Sequence, residues 1–300
     1  MPSVVVWMVT YNHGTYIRQS IESVMMQITS FDFKLFIGED YSSDDTRKIC
    51  LELRDKHPQK IVLFLNELNI GAKANGIAMY RKCCDSGANY IAQIEGDDYW
   101  IDDRKLQKQV DYLEQNKNVA ACFHNLIKID SRGNEFGKLY GDDHKTEIFF
   151  DDLIKGAYMQ TCSLVFRADT QKLLPFIDGH LPAEDDSLGY CLLRSGDKAK
   201  FMNECMAVYR VHEGGVWSML SREKRDKIAL TNFFQYCAFY IDDKKVYQAF
   251  KKKTTMHLYS MMRYNIKHFQ LIGFLENLNL YIKLALQSRL SQSSFSDYFL

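Results

Sequence analysis

Proline is nearly missing from this 300-residue chain, which has four prolines and 16 glycines against 46% hydrophobic residues. So few breakers exclude a disordered or low-complexity chain and point to a compact globule. Zinc-type cysteine spacing is missing too. The eight cysteines are scattered, only Cys83 and Cys84 adjoin, and no Cys-x-x-Cys or Cys/His ligand spacing occurs. No apolar run approaches the ~20 residues needed to span a bilayer. No signal peptide opens the chain, so a reducing cytoplasm is the expected location. No basic–aromatic module of the nucleic-acid-binding kind is present, and no nucleic-acid partner is expected. The length suits one large domain, or one domain with an appendage.

Net charge is also lacking, with 38 Lys or Arg against 38 Asp or Glu, but its placement is uneven. Residues 216–300 hold 13 basic and 6 acidic residues, whereas residues 1–215 hold 25 and 32. The acidic part suits metal binding. The basic part either faces an anionic membrane leaflet or is an ordinary solvated face.

What is present is an alternation of short apolar runs and helical patterns. Val4 to Val9, Phe33 to Ile37, Ile61 to Leu65 and Tyr90 to Ile94 read as strands buried on both faces. Helical spacing lies between them, over Thr15 to Gln27, up to Lys56, and over 74–86. The order predicts an α/β fold with a mostly parallel sheet flanked by helices. Further on, the pattern predicts a helix over Leu106 to Gln115 and strands over Val119 to Ile129, Ser163 to Phe166 and Met206 to Val211. A loop is expected over Asp130 to Lys145 and a helix over Glu184 to Arg194. From Ser221 about three helices are expected, with aromatic stripes read as core, and residues 291–297 are expected to fray.

Ligands of such sheets bind beyond the carboxyl ends of the strands. There the chain carries Thr10-Tyr11-Asn12, Glu39-Asp40, Asn69-Ile70-Gly71 and Glu95-Gly96-Asp97-Asp98. The last is the most informative. Carboxylates packed against a hydrophobic strand repel one another and are costly to desolvate. Mg²⁺ or Mn²⁺ relieves that cost and keeps coordination positions for substrate phosphates. A solvated acidic turn is the competing reading of that motif taken alone.

Four of these segments, in order, resemble the glycosyltransferases of family 2, which have the GT-A fold. They are Thr10-Tyr11-Asn12 with Tyr16-Ile17 and Ile21-Glu22-Ser23-Val24; Glu39 to Thr46; Asn69-Ile70-Gly71; and Glu95 to Trp100. The resemblance covers residues 2–130 strongly and continues more faintly to about 218. It implies a Rossmann-like catalytic domain over 1–218 and a helical appendage over 219–300. It implies a nucleotide-diphospho-sugar donor, most often a UDP-sugar, with Mn²⁺ or Mg²⁺ as cofactor. Asp40 is then expected at the base, with Thr10, Tyr11, Asn12, Glu39, Asn69, Gly71 and Asn75 around the nucleoside. Glu95, Gly96, Asp97 and Asp98 are expected at the ribose, diphosphate and sugar, and Asp97 at the metal. Glu39 and Glu95 stand where the family more often has Asp.

A fainter likeness places Glu184-Asp185-Asp186 as the family's acidic base element. Asp185 is the expected base and Asp186 its competitor; an acid-decorated helix N-terminus is the bland alternative. His212, in Tyr209-Arg210-Val211-His212, either completes the metal shell or is structural. Trp100, Thr161, Ser163, Glu184 and Asp186 are expected on the acceptor side. The Gln-x-x-Arg-Trp motif of processive synthases is absent, which favours single-sugar addition.

The expected reaction is inverting transfer to a glycan or lipid-linked oligosaccharide on the inner face of the plasma membrane. A sugar-nucleotide nucleotidyltransferase and a non-catalytic nucleotide-sugar-binding subunit are the alternatives. The first of these usually carries a basic Gly-rich loop after its first strand, and here no Lys or Arg occurs from Thr10 until Arg18. The C-terminal helices are expected either to dock on membrane, through Lys244, Lys245 and Lys251 to Lys253, or to form a homodimer face.

Overall fold

Strand β1 (Val4–Thr10) runs parallel to β2 (Phe33–Glu39) on one side and β4 (Tyr90–Glu95) on the other, while β3 (Ile61–Leu65) continues the sheet beyond β2. This computed structural model describes residues 3–141, 144–182, 184–194, 196–215 and 220–286. The chain divides into two compact units. One holds 3–179 and 184–213, and the other holds 180–182 and 214–286. The expected boundary at 218 and the Ser-rich stretch 291–297 lie outside the described residues.

The continuous apolar character of β1 follows from cover on both faces. Val4, Val6 and Met8 join Ile17, Ile21 and Val24 of helix α1 (Ile17–Met25) in the main core. Trp7, on the opposite face, stacks on Tyr80 at 4.9 Å between ring centres and donates its indole N–H to Gly76 O at 3.2 Å. Both partners lie on α3 (Ala72–Asp85). The remaining helix of this half, α2 (Thr46–Lys56), buries Cys50 and Leu53.

The second half turns the sheet mixed. β9 (Val165–Arg167) lies antiparallel between β4 and β6 (Val119–Asp130), and β6 pairs in parallel with β10 (Lys198–Val211). β5 (Tyr99–Trp100) runs antiparallel on β10. The path is β3-β2-β1-β4-β9-β6-β10-β5, and β7 (Glu135–Lys138) and β8 (Glu147–Phe149) hang on β6 and β10. The stretch expected as a loop over 130–145 therefore contains a strand. Its alternation is too short to register as a period, and it is held by pairing alone. β10 likewise begins eight residues before the expected Met206, because pairing with β6 carries it through the polar Asn203-Glu204.

Three helices cover this half: α4 (Lys105–Gln115), the short α5 (Phe150–Ile154), and α6 (Thr170–Ile177). A fourth, α7 (Asp185–Leu193), is buried along nearly all its length, from Ser187 to Leu193. The second unit is built of α8 (Arg222–Phe239), α9 (Lys244–Lys267) and α10 (Leu271–Leu286), as its periodicity predicts. Within it, Tyr236 and Tyr240 stack on Phe250 at 5.0 and 5.5 Å, so the aromatic stripe is core.

Candidate active site

Register brings the chemistry together. Thr10 pairs with Glu39 across β1 and β2, and Val9 pairs with Glu95 across β1 and β4. The polar loops after these strands therefore begin at one level of the sheet.

The loop after β2 is tied down by its own protein. Asp40 Oδ1 accepts from Asn66 Nδ2 at 2.7 Å and Ile70 N at 3.0 Å, and its Oδ2 accepts from Gly71 N at 2.8 Å. Asn69 Nδ2 donates to Asp40 O at 3.0 Å. Gly71 sits at φ +87°, a conformation that a residue without a Cβ adopts freely, and so turns the chain into α3. Asn75 donates to Gly38 O at 2.9 Å and is buried. Glu39 is fully buried, pairs with Arg47, and accepts from Ser42 N at 2.7 Å. Glu39 and Asn75, expected at the nucleoside, are thus buried and spend their polar groups on protein partners. The extra methylene of Glu39 is what spans to Arg47.

The loop after β1 is stitched to the same wall. Asn12, at φ +54°, accepts from Ser43 N at 2.9 Å, and Gly14 N donates to Asp44 Oδ2 at 2.8 Å. Tyr11 is exposed at the rim.

The turn after β4 holds the carboxylates. Gly96 is required by packing: a Cβ there would stand 2.5 Å from Thr10 Oγ1 and 2.8 Å from His13 Nδ1. Asp97 Oδ2 lies 3.0 Å from His212 Nε2 and 3.8 Å from His13 Nε2. Burial works to raise the Asp97 carboxyl, but the hydrogen bond from His212 and the two imidazoles hold it below the ordinary value. Burial lowers His13. Asp98 is 1% exposed, and its Oδ1 accepts from Arg210 N at 2.9 Å. Its Oδ2 has no hydrogen-bond partner among the described residues other than the weak Cys162 thiol. Burial, and then the charge of Asp97, pushes the Asp98 carboxyl well up. Glu95 is also pushed well up, by burial and by Asp98, Asp185 and Asp97.

Arg210 and His13 were not singled out from the sequence. The Arg210 guanidinium donates to Asp97 O and Gln19 Oε1 and lies over the rings of Tyr16 and Tyr99, at 4.9 and 4.5 Å. Arg210 lies near the end of β10 and His212 just past it, and their two-residue spacing is the signal that links them. His13 carried no such signal, because only the fold brings it to Asp97.

Asp185 opens α7, where its charge meets the helix N-terminus favourably. Thr161 Oγ1 donates to Asp185 Oδ2 at 2.9 Å. Surrounding protein, and then Asp186 and Glu184, push Asp185 up to about 6 against the Thr161 hydrogen bond. One face of Asp185 stays open to solvent, as does Asp186. Glu184 ion-pairs with Lys73 of α3 at 2.5 Å, linking the segment after Gly71 to the start of α7. Two residues expected at the acceptor sit elsewhere. Trp100 is 1% exposed and spends its indole N–H on Cys162 O at 2.9 Å, while buried Ser163 donates to Gln160 O at 2.7 Å. Both belong to the floor of the site.

Among the described residues, no three His, Cys, Asp or Glu side chains are gathered to hold a metal ion unaided. Asp97 and His212 are the converging pair. A pair fits a hard cation that takes its other ligands from substrate phosphates and water.

The sequence profile described as Glycosyl transferase family 2 matches residues 5–174. The chain belongs to glycosyl transferase family 2. An uncharacterized protein of Mycobacterium tuberculosis is 31% identical to this family 2 chain over 221 residues, which cover 72% of this chain and 61% of that protein. The chain thus spans less than two thirds of that relative's length. The UDP-Glc:alpha-D-GlcNAc-diphosphoundecaprenol beta-1,3-glucosyltransferase WfaP of Escherichia coli is 28% identical over 211 residues, 69% of this chain and 76% of that one. Staphylococcus aureus TarS 1-349, solved with UDP-GlcNAc, superposes with a TM-score of 0.69 at 17% identity, covering 95% of this chain and 81% of that one. That likeness shows the GT-A fold.

Proposed function

We propose that this family 2 chain transfers one sugar, with inversion, from a UDP-sugar to a hydroxyl of a glycan or lipid-linked oligosaccharide. The observation that carries the reading is electrostatic: the charge of Asp185, on α7, bears directly on Glu95, at the end of β4. The exposed Asp185 and the acidic turn after β4 are therefore near enough to feel one another's charge. The UDP-GlcNAc bound to TarS and the lipid-diphosphate acceptor in the name of WfaP support the choice of donor and acceptor class.

Asp185 takes the proton of the acceptor hydroxyl. A carboxyl held near 6 is ionised at neutral pH yet basic enough to assist proton removal. Thr161 fixes Oδ2 and leaves Oδ1 for the substrate. Asp97 and His212 are the residues that would hold Mn²⁺ or Mg²⁺. When bound, such an ion would supply charge neutralisation for the departing nucleoside diphosphate. Asp40 fixes the 69–71 loop that would line the nucleoside side of the site. Arg210, under the turn, holds the Asp97 backbone in place.

Family membership sets aside the nucleotidyltransferase reading. A binding subunit without turnover is separated by donor hydrolysis. Purified protein, incubated with UDP-, GDP- and dTDP-sugars with Mn²⁺ or chelator, is expected to release nucleotide from one UDP-sugar. Asp97→Asn is expected to lower release more than about 10³-fold. Calorimetric donor binding with no release under any condition would favour the binding subunit.

A further inference from the structure

We propose that the second unit docks on an anionic lipid bilayer through one face built from the later turns of α9 and the start of α10. This surface belongs to the second unit, and the proposal does not depend on which sugar is transferred.

The first observation is apolar exposure concentrated at one place. Phe269 is 94% exposed, Ile272 76%, Leu271 68% and Ile266 60%. These residues crowd the turn between α9 and α10. Soluble surfaces carry such side chains singly; a group of them needs an apolar neighbour. Phe269 sits at φ +56°, so a non-glycine residue is held in the left-handed region while presenting its ring to solvent. That conformation is disfavoured for a bulky side chain.

The second observation is charge. The 24 residues of α9 contain Lys244, Lys245, Lys251, Lys252, Lys253, Arg263 and Lys267 and no acidic residue. Lys252, Met256, Tyr259, Arg263 and Ile266 are exposed and follow one another at three- and four-residue steps. They form a single stripe in which cations and apolar groups share a helix face. α10 adds one acid, Glu276, among its 16 residues. No helix among the described residues is long and apolar enough to cross a membrane. A short basic helix with exposed aromatic and aliphatic groups lies on a bilayer and gains from both apolar insertion and anionic headgroups.

The charge selects lipid over a second copy of the chain. A twofold contact through this face would set one α9 stripe, bearing cations and no acid, against another, and like charges at an interface are costly. A bilayer rich in phosphatidylglycerol offers the complementary sign and an apolar layer beneath it.

The test is flotation of the full chain with phosphatidylcholine vesicles, with and without phosphatidylglycerol, at low and high salt. Binding is expected only with phosphatidylglycerol, and it is expected to fall as salt rises. Lys252→Gln with Arg263→Gln is expected to weaken partitioning roughly fivefold per cation. Phe269→Glu with Ile272→Glu is expected to abolish it. All four side chains are exposed, and circular dichroism with unchanged donor hydrolysis verifies that each variant is folded. Two outcomes overturn the proposal. One is no vesicle binding at low salt. The other is binding unaffected by Phe269→Glu with Ile272→Glu, including the case where light scattering shows those changes dissolving a dimer instead.

Discussion

Two acidic clusters sit at the ends of β2 and β4, the strands on either side of β1, and the protein treats them in opposite ways. At the end of β2, Glu39 has Arg47 and a backbone N–H, and Asp40 has three donors from residues 66, 70 and 71. At the end of β4, half-buried Glu95 and buried Asp98 have charges of their own sign nearby, and Asp98 Oδ2 lacks a strong donor. Residue types are nearly the same in the two places. The first cluster is a scaffold whose electrostatics are already settled. The second is left unsettled by the protein, and under the proposed function a cation with its diphosphate would settle it.

Breaking this contrast at Asp185 has the largest expected effect. Asp185→Asn is expected to lower turnover roughly 10²- to 10⁴-fold while leaving donor affinity, read by calorimetry, nearly unchanged. On the proposed mechanism the active form of the unaltered protein is the deprotonated one. With the carboxyl pushed up to about 6, kcat/KM is expected to rise with pH through that value and level off above it. Full activity in Asp185→Asn, or a flat profile between pH 5 and 7 (the window around ~6), would refute the assignment.

Next comes the scaffold cluster. Arg47→Met leaves fully buried Glu39 without its cation. Folding stability is expected to fall by about 3 kcal/mol, seen as a lower urea midpoint at unchanged slope. A midpoint that does not move would mean that the β2 cluster is no scaffold.

The smallest expected effect has the opposite sign. Asp98→Asn removes a buried carboxyl whose charged form is disfavoured. Metal-free protein is expected to lose no stability at pH 7, and to gain up to about 1 kcal/mol. The linkage follows from the raised pKa values of Glu95 and Asp98. A raised acid binds protons more readily folded than unfolded, so its contribution weakens as pH climbs above the ordinary carboxylate value of ~4. Thermal melts across pH are expected to show this decline in the metal-free protein and a shallower one in Asp98→Asn. A marked loss of stability in Asp98→Asn would show that the two clusters are alike.

Much of this was legible in the chain. Buried-strand runs gave β1 to β4 and their carboxyl ends, and Glu95 to Asp98 announced itself as acids against an apolar strand. Asp185 was singled out only through the likeness of Glu184-Asp185-Asp186 to the family's acidic base element, because acids at a helix N-terminus by themselves are ordinary. Short elements were not readable. β5, β7 and β8 have two, four and three residues, too few for a period to emerge from composition. Trp100 and Ser163 were misplaced because motif position says which loop a residue occupies and not which way its side chain turns.

The sequence by itself determined the alternation of strands and helices, the family, and the polar residues at the strand ends, since each depends on neighbours within a few positions. Tertiary structure alone decided which carboxylates are satisfied. Arg47 reaches Glu39 from the next helix, while Arg210 and His212 reach the Asp97 turn from the far end of the chain's last strand. A carboxylate's charge state is set by the burial and partners that folding brings to it, and residue order does not state those distances.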